Sequence, residues 1–501
     1  MVSATLLGKI FLEDLQNAEL WQTEDVDSKI TLFSHHSFIS FKRFPFPVQS
    51  FTIDSSGLQL TFSFSKKNTF SLKLSPNQCT IETPFTGELQ LFYYVLNTAL
   101  YFSDSFHQLV ALISKDTTIS LNTNGIRDYL ASDFRLQKRT IVAGIVLAAE
   151  NTRLSFTQAG VQTKIKKSLL DQITSFKGMR SKEQITEALT QQVDATLSTI
   201  LETVPISGIA STLSGGIDSA LLSHRVHLHG GTTFASLVLP QSPTSPQTTT
   251  LPELRGILPG NHVARELSGP LLATTMSRDT LDPYTDPYGC YFEEIANDLQ
   301  AKKTAIILTG IGGDDSFYLP SASKNQQVQK SQDDTRAFAQ YFMNSFAQDL
   351  FQVADKRTSL LPRILSQSQV LYGNIWKKHG IWPVAPFITA ETLSLSAHIP
   401  ADLLQHKKLL RSYVETTMHC PLTARSPRDS FGPSFDQALL SFYEAEGRSL
   451  LTTGAIISLG ILNTEVFLEQ VETEVKMRQF SKPVKMLLYS LLKLELFFRA
   501  F

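Results

Sequence analysis

Apolar and polar residues alternate along much of the first third of the chain, a pattern that predicts β-strands. Two helices are predicted between these strands, at 103–113 and 122–134. The predicted strands, rich in Phe, Thr, Leu and Tyr, are 58–65, 69–75, 88–96 and 99–105, with a final pair within 140–156. We therefore expect an α+β arrangement in this part of the chain.

The pattern changes after a hydrophilic stretch at 166–182, which we interpret as a linker. Residues 183–204 have helical spacing, and the segments after them predict a strand, a glycine turn, a helix and a second strand. This order is a βαβ unit, which builds parallel sheets buried on both faces. A second helix–strand pair at 290–310 ends at another glycine turn, and helical patterns dominate from residue 335 onward.

The predicted organisation is therefore an α+β domain at 1–165, a linker at 166–182 and an α/β parallel-sheet domain with a helical C-terminal part at 183–501. Two polar segments interrupt the second domain. Residues 240–253 are predicted to be an exposed loop, and residues 319–334 a disordered insertion or a mobile lid.

Composition and charge exclude several classes of protein. The chain has 501 residues, of which 42% are hydrophobic, so a disordered chain is excluded. Lys and Arg total 45 against 46 Asp and Glu, so there is no overall field that would attract nucleic acid or an anionic membrane. Three scattered cysteines without a CxxC pair argue against a disulfide framework and against structural zinc.

The ends of the chain carry no targeting or membrane signal. The first sixteen residues lack the features of a signal peptide, and charges interrupt the apolar stretch at 484–501. We therefore expect a cytoplasmic protein that neither inserts into a membrane nor binds nucleic acid.

The most specific motif is Ser214-Gly215-Gly216-Ile217-Asp218-Ser219, here called the first glycine loop, between a predicted strand and a helix. The glycines allow a tight turn whose N–H groups, together with the helix N-terminus, favour a phosphate group. Ser214 and Ser219 add hydroxyl donors, and Asp218 can hold a Mg²⁺ ion that bridges phosphate oxygens. The alternative is a purely structural turn.

The second glycine loop, Thr309-Gly310-Ile311-Gly312-Gly313-Asp314-Asp315, also follows a predicted parallel strand. Ligands of open α/β sheets bind at that edge, so Asp314 is expected to supply a second carboxylate to the same metal. The first loop contains no lysine and the chain no GxxxxGK[ST] motif, which excludes the common ATPase loop. Such a site suits cleavage of ATP between its α- and β-phosphates, which releases AMP.

The two loops resemble the ATP-pyrophosphatase (PP-loop) domain of the asparagine synthetase family. Segments 91–112, 384–400 and 406–431 are also similar to that family, so the resemblance covers nearly the whole chain. It implies an N-terminal domain of the Ntn-type glutamine amidotransferase fold, followed by an adenine-nucleotide α-hydrolase-like synthetase domain. It also implies ATP and Mg²⁺ as cofactors, with Leu213, Thr309, Gly310 and Gly313 joining the first loop in binding ATP.

Departures from the family pattern narrow the expected subtype. Glutamine-dependent members begin with Met-Cys, whereas this chain has Val2 and its first cysteine is Cys79. Because a glutaminase needs an activated thiol, we expect the N-terminal domain to be inactive. β-Lactam-forming relatives place a tyrosine where this chain has Ile311, which cannot move a proton. Segment 425–463 is instead similar to lasso-peptide macrolactam synthetases, although those often have His at the Ile311 position.

The family lysine that stabilises the adenylate and the oxyanion has its nearest match in Arg428. Arginine keeps the positive charge of the family lysine, so Arg428 is compatible with a role in adenylation. The equal alternative is that Arg428 is an exposed loop residue without a catalytic role. We interpret Lys407 and Lys408 as solvated, with phosphate contact as the alternative. His224, His227 and His229 do not share one helix face and are interpreted as facing solvent.

The expected activity is macrolactam closure of a ribosomal peptide by adenylation of a carboxylate and attack of an amine. A leader-binding or protease partner would accompany such a substrate. Two alternatives stay open: ammonia-dependent synthesis of asparagine or another small amide or lactam, and a scaffold without activity.

Overall fold

The computed structural model describes residues 6–11, 15, 22–26, 29–34, 36–42, 48–54, 57–65, 68–84, 89–131, 139–148, 150–166, 181–238, 245–266, 283–284, 289–318, 339–343, 373–426 and 432–499.

Thirteen strands in the described part of the first 165 residues form two antiparallel sheets. One sheet has the order β11-β9-β10-β1-β4-β3-β2 and the other β13-β12-β8-β7-β6-β5. The strands are β1 (Leu6–Phe11), β2 (Gln22–Val26), β3 (Lys29–Phe33), β4 (Phe38–Lys42), β5 (Val48–Asp54), β6 (Gly57–Ser65), β7 (Asn68–Ser75), β8 (Gln78–Glu82), β9 (Leu91–Leu96), β10 (Ala99–Ser103), β11 (Val146–Ala148), β12 (Thr152–Thr157) and β13 (Gly160–Ile165).

The alternating sequence of these strands places their apolar side chains between the two sheets. Phe41 of β4 and Phe62 of β6 meet there edge to face, with ring centroids 6.1 Å apart. Helices α1 (Phe106–Ile113) and α2 (Thr123–Ala131) follow β10, and Phe106 of α1 packs on Phe92 of β9 at 5.4 Å. One sheet is therefore covered by the other sheet on one face and by helices on the other.

A parallel sheet in the order β16-β15-β14-β17-β18 forms the centre of the second half. Its strands are β14 (Ile209–Thr212), β15 (Thr233–Val238), β16 (Asn261–Glu266), β17 (Ile306–Leu308) and β18 (Trp382–Val384). Central strands β14 and β17 are direct neighbours, with Ser211 opposite Leu308. The segments that follow these two strands consequently leave the sheet side by side.

Helices surround this sheet and form the whole described C-terminal part. They are α3 (Lys182–Leu201), α4 (Ile217–Leu228), α5 (Gln247–Ile257), α6 (Gly289–Ala301), α7 (Gly313–Phe317), α8 (Ala390–Ser396), α9 (Ala401–Leu404), α10 (Lys408–Thr416), α11 (Pro421–Arg425), α12 (Gly432–Phe442), α13 (Arg448–Thr452), α14 (Thr464–Met477) and α15 (Lys482–Arg499), with a π-helical stretch at Tyr443–Gly447 between α12 and α13.

The predicted fold class is confirmed: antiparallel sheets come first, then a parallel sheet with helices. The predicted exposed loop at 240–253 is wrong in its second half, because α5 begins at Gln247 and buries Thr250 and Leu251. Strands β1–β5, β8, β13, β16 and β18 were not predicted individually. Most of the expected linker and all of the insertion at 319–334 lie outside the described residues, so the domain boundaries remain predictions.

No described helix is both long enough and apolar enough to cross a bilayer. The last helix, α15, is instead a buried element that carries Glu495 into the interior, where the side chain is fully buried. Its carboxylate accepts hydrogen bonds from the backbone N–H groups of Ala455 (2.8 Å), Ile456 (2.8 Å) and Ile457 (3.2 Å). Burial raises the pKa of Glu495, while the three donors act in the opposite direction.

We predict that Gly454→Ala destabilises the protein by about 1–3 kcal/mol, the usual cost of overpacking a core. A Cβ atom at this position would lie 2.1 Å from Oε1 of the buried Glu495 carboxylate. Thermal unfolding measures the effect as a lower Tm. Gly256→Ala is the control, because a Cβ there meets nothing within 4 Å and alanine favours the helix. A Tm for Gly454→Ala at or above that of the wild type would contradict the prediction.

Candidate active site

The first glycine loop connects β14 to α4 and is closed by its own serines. Ser219 Oγ accepts a hydrogen bond from Ser214 N at 3.1 Å and donates one to Gly216 O at 2.9 Å. The two serine hydroxyl groups are 2.9 Å apart. Gly215 has φ +83°, in the left-handed region that favours glycine. The loop is thus formed by local hydrogen bonds before any ligand contributes.

Helix α5 covers the same loop from the side. Gln247 Nε2 donates to Ser214 O at 2.8 Å and to Leu237 O at 3.3 Å, so one side chain joins the ends of β14 and β15. A Cβ atom at Gly215 would lie 2.7 Å from Thr250 Oγ1. Close packing by α5 is therefore a second reason for glycine at 215, and sequence reasoning missed it because it predicted a loop here.

The second glycine loop leaves β17 beside the first. Thr309 N donates to Val384 O at 2.8 Å, which ties the loop to β18, and Gly310 N donates to Thr212 Oγ1 at 3.4 Å, which ties it to β14. Gly312 has φ +91° and precedes the short helix α7, whose first turn carries Asp314. The chain reversal at Gly312 thereby turns Asp314 toward the first loop.

The two loops touch at their glycines. A Cβ atom at Gly310 would lie 3.2 Å from Ser219 N, and one at Gly313 would lie 2.3 Å from Asp218 Cγ. The carboxylate of Asp218 therefore packs directly on the backbone of the second loop. This contact explains why Gly313 has no side chain.

Lys407 lies between the carboxylates of the two loops. Its ammonium group forms ion pairs with Asp218 Oδ2 and with Asp314 Oδ1, the latter at 2.6 Å. The side chain is only 11% exposed. Our interpretation of Lys407 as solvated is therefore wrong, whereas Lys408 is exposed as expected.

The convergence of both carboxylates on one ammonium group shows that this position suits a cation. No group of three or more potential metal ligands occurs among the described Asp, Glu, His and Cys residues. A Mg²⁺ ion bound by Asp218 and Asp314 would thus take its other ligands from water and phosphate oxygens, as Mg²⁺ commonly does. The donor set fits a metal that arrives with a nucleotide.

The other predicted residues differ in their placement. Leu213 and Thr309 lie at the ends of β14 and β17, where both border the glycine loops. Both side chains are buried, so packing alone would also account for an apolar residue at 213 and a small one at 309. Arg428 lies outside the described residues, so its role remains a prediction. Ile311 is half-buried and, with Thr309, lines a small pocket completed by Gly373, Trp376, Pro383, Val384 and Ala385.

We expected His224 to face solvent, and this prediction is wrong. His224 is buried on α4, and its Nδ1 is 2.8 Å from the hydroxyl group of Tyr413 on α10. Burial lowers the pKa of His224 to about 4, so the ring is neutral at pH 7. This contact joins the helix that carries Asp218 to the helix that Lys407 precedes.

We predict that Gly313→Ala disrupts the contact between the loops and lowers stability by about 1–3 kcal/mol, because the methyl group would displace the partly buried Asp218 carboxylate from Lys407. Thermal unfolding provides the measurement. Gly373→Ala is the matched control, since its Cβ would make only an ordinary contact, 3.6 Å from Pro383 Cγ. Equal Tm values for the two variants would refute the expectation.

Comparison with known proteins finds similarity among solved structures. No protein-family model matches the chain, and no curated protein matches it. Among solved structures, the NMN synthetase from Francisella tularensis is similar at 16% sequence identity, with a TM-score of 0.20. The match covers 40% of this chain and 97% of that one.

Proposed function

We propose that this protein is an ATP-dependent, AMP-forming amide ligase. One observation carries the proposal: Asp218 and Asp314, from glycine loops that follow neighbouring parallel strands, converge on a single cation. A purely structural pair of turns would not require two carboxylates and a buried ammonium group in contact. Burying the Lys407 ammonium group is costly unless it is paired, and the retention of this charge cluster at the edge of the sheet is typical of a binding site.

The first loop is suited to phosphate groups because the N-terminus of α4, which Gly216 caps, presents backbone N–H groups at the end of β14. A bound Mg²⁺ ion would neutralise phosphate charge, held by Asp218 and Asp314. Lys407 brings a second positive charge to the same place from a different part of the chain. The lysine absent from the loop is thereby replaced by one from the segment before α10.

The proposed reaction has two steps. A carboxylate oxygen of the substrate attacks the α-phosphorus of ATP, so the bond to the β-phosphate oxygen breaks and pyrophosphate leaves. An amine then attacks the acyl carbon, loses a proton and expels AMP. Arg428 is the candidate for stabilising the negative charge that develops on the acyl oxygen.

The described cysteines support an amine source other than glutamine. Cys79 is fully buried in β8, and burial raises the pKa of its thiol. Cys420 is also buried, and burial raises the pKa of its thiol to about 11. Neither thiol can supply the exposed thiolate that a glutaminase needs.

The finer proposal is closure of a peptide macrolactam, in which a side-chain carboxylate is adenylated and the peptide's own amine attacks it. It rests on the resemblance of segment 425–463 to lasso-peptide enzymes. The pocket beside Ile311 does not distinguish macrolactam closure from the other amide-forming reactions, because Ile311 and Trp376 cannot take a proton from any nucleophile.

We predict that the wild-type protein catalyses carboxylate-dependent exchange of labelled pyrophosphate into ATP, and that Asp218→Asn lowers the rate about 100-fold, on the scale of losing one electrostatic contact to the transition state. Candidate peptides with an internal Asp or Glu are compared with aspartate plus ammonium salt, which separates macrolactam closure from asparagine synthesis. Asp116→Asn is the matched control, because Asp116 also pairs with a lysine, Lys9 at 2.9 Å, but in the antiparallel half.

The proposal fails if Asp218→Asn exchanges pyrophosphate as fast as the wild type. If no carboxylate supports exchange and calorimetry detects no binding of Mg·ATP, the protein is a scaffold and the ligase proposal is wrong.

A further inference from the structure

Lys407 reaches the two carboxylates from an unusual backbone turn. His406 and Lys407 are consecutive non-glycine residues in the left-handed region, with φ +52° and +57°. This conformation is unfavourable for L-residues and persists only where surrounding contacts impose it. The turn therefore requires something to hold it.

Arg411 makes a side-chain contact that can hold the turn. It lies on the first turn of α10, and its Nε donates to His406 O at 2.8 Å. Its Nη1 donates to Ala424 O and, at 3.2 Å, to Ser426 O at the end of α11. All three acceptors are backbone carbonyl groups, so the planar guanidinium fixes backbone against backbone.

Backbone hydrogen bonds also span the turn, since Lys408 N donates to Gln405 O at 3.0 Å and Arg411 N donates to Lys407 O at 2.9 Å. Other side-chain contacts hold α10 and its neighbour α11 in place. The His224–Tyr413 contact at 2.8 Å fixes α10 against α4, which carries Asp218. On the opposite side, Glu253 of α5 fixes α11 by accepting from Leu422 N at 3.0 Å and Thr423 N at 2.7 Å. Both helices are thus anchored, and Arg411 connects these anchors to the one strained turn between α9 and α10.

We propose that Arg411 is a positioning residue that holds the His406–Lys407 turn in its left-handed conformation and so places the Lys407 ammonium group between Asp218 and Asp314. Arg411 acts through Lys407 and is not itself catalytic. That the position of the Lys407 ammonium group matters for the reaction rests on the proposed function. The position itself rests only on the contacts of Lys407 and Arg411.

Amine labelling measured by mass spectrometry tests the placement without any substrate. Lys407 is buried and its neighbour Lys408 is exposed, so one peptide contains both the probe and its internal reference. In the wild type, Lys407 should react at least tenfold more slowly than Lys408. Arg411→Gln should raise the Lys407 to Lys408 ratio at least fivefold, because the released turn exposes the ammonium group.

A rescue variant separates positioning from general stabilisation. His406 is exposed, and glycine adopts a positive φ without penalty. Adding His406→Gly to Arg411→Gln should therefore restore at least half of the lost protection. Arg425→Gln is the matched control, since Arg425 is an exposed arginine that binds the Glu415 side chain at 2.6 Å, and its labelling ratio should equal that of the wild type.

The proposal is overturned if folded Arg411→Gln keeps a labelling ratio within twofold of the wild type, or if His406→Gly restores nothing. Should Arg411→Gln fail to fold, Arg411→Lys replaces it, with an expected rise of at least twofold in the labelling ratio. An unchanged ratio again overturns the proposal.

In pyrophosphate exchange, Arg411→Gln should lower the rate about tenfold, and the double variant with His406→Gly should recover part of that loss. A wild type that shows no exchange refutes the proposed function but leaves the labelling result intact.

Discussion

The site depends on one interaction, the pairing of the Lys407 ammonium group with the carboxylates of Asp218 and Asp314. Two carboxylates held this close repel each other, and that of Asp218, at 15% exposure, also loses much of its water as the loops pack together. A single positive charge between them compensates both. The same compensation is what a metal bound to phosphate groups would provide, so the arrangement that stabilises the folded chain is compatible with the proposed binding of ATP and Mg²⁺.

Sheet topology makes this meeting possible. Because β14 and β17 are neighbours in register, their following loops emerge together at the carboxyl edge. Glycines at the points of contact leave no side chain between the two loops. This matters most at Gly313, where a methyl group would occupy the place of the Asp218 carboxylate. Connectivity brings the loops to one edge, and the lack of side chains lets them touch.

The antiparallel half is joined to this framework by an aromatic cluster. Tyr284, from the segment between β16 and α6, packs against Phe106 at 5.0 Å and Tyr129 at 5.5 Å. Tyr129 also donates its hydroxyl hydrogen to Pro283 O at 2.6 Å. Cys79 is buried within the sheets of this half, which agrees with the proposal that the amine does not come from glutamine.

The sequence by itself determined part of the secondary structure and the two loops. Alternation and helical spacing predicted nine of the eighteen described strands and the helices α1 to α4 and α6, and the carboxyl-edge rule predicted that Asp218 and Asp314 would lie together, because these signals are local or follow from strand order. Only the tertiary structure decided that Lys407 is buried between them, that His224 bonds to Tyr413 and that α5 covers Gly215. Each depends on packing between segments far apart in the chain, and such packing leaves no periodic pattern: a lysine before a helix looks the same in sequence whether solvent or two carboxylates surround its ammonium group.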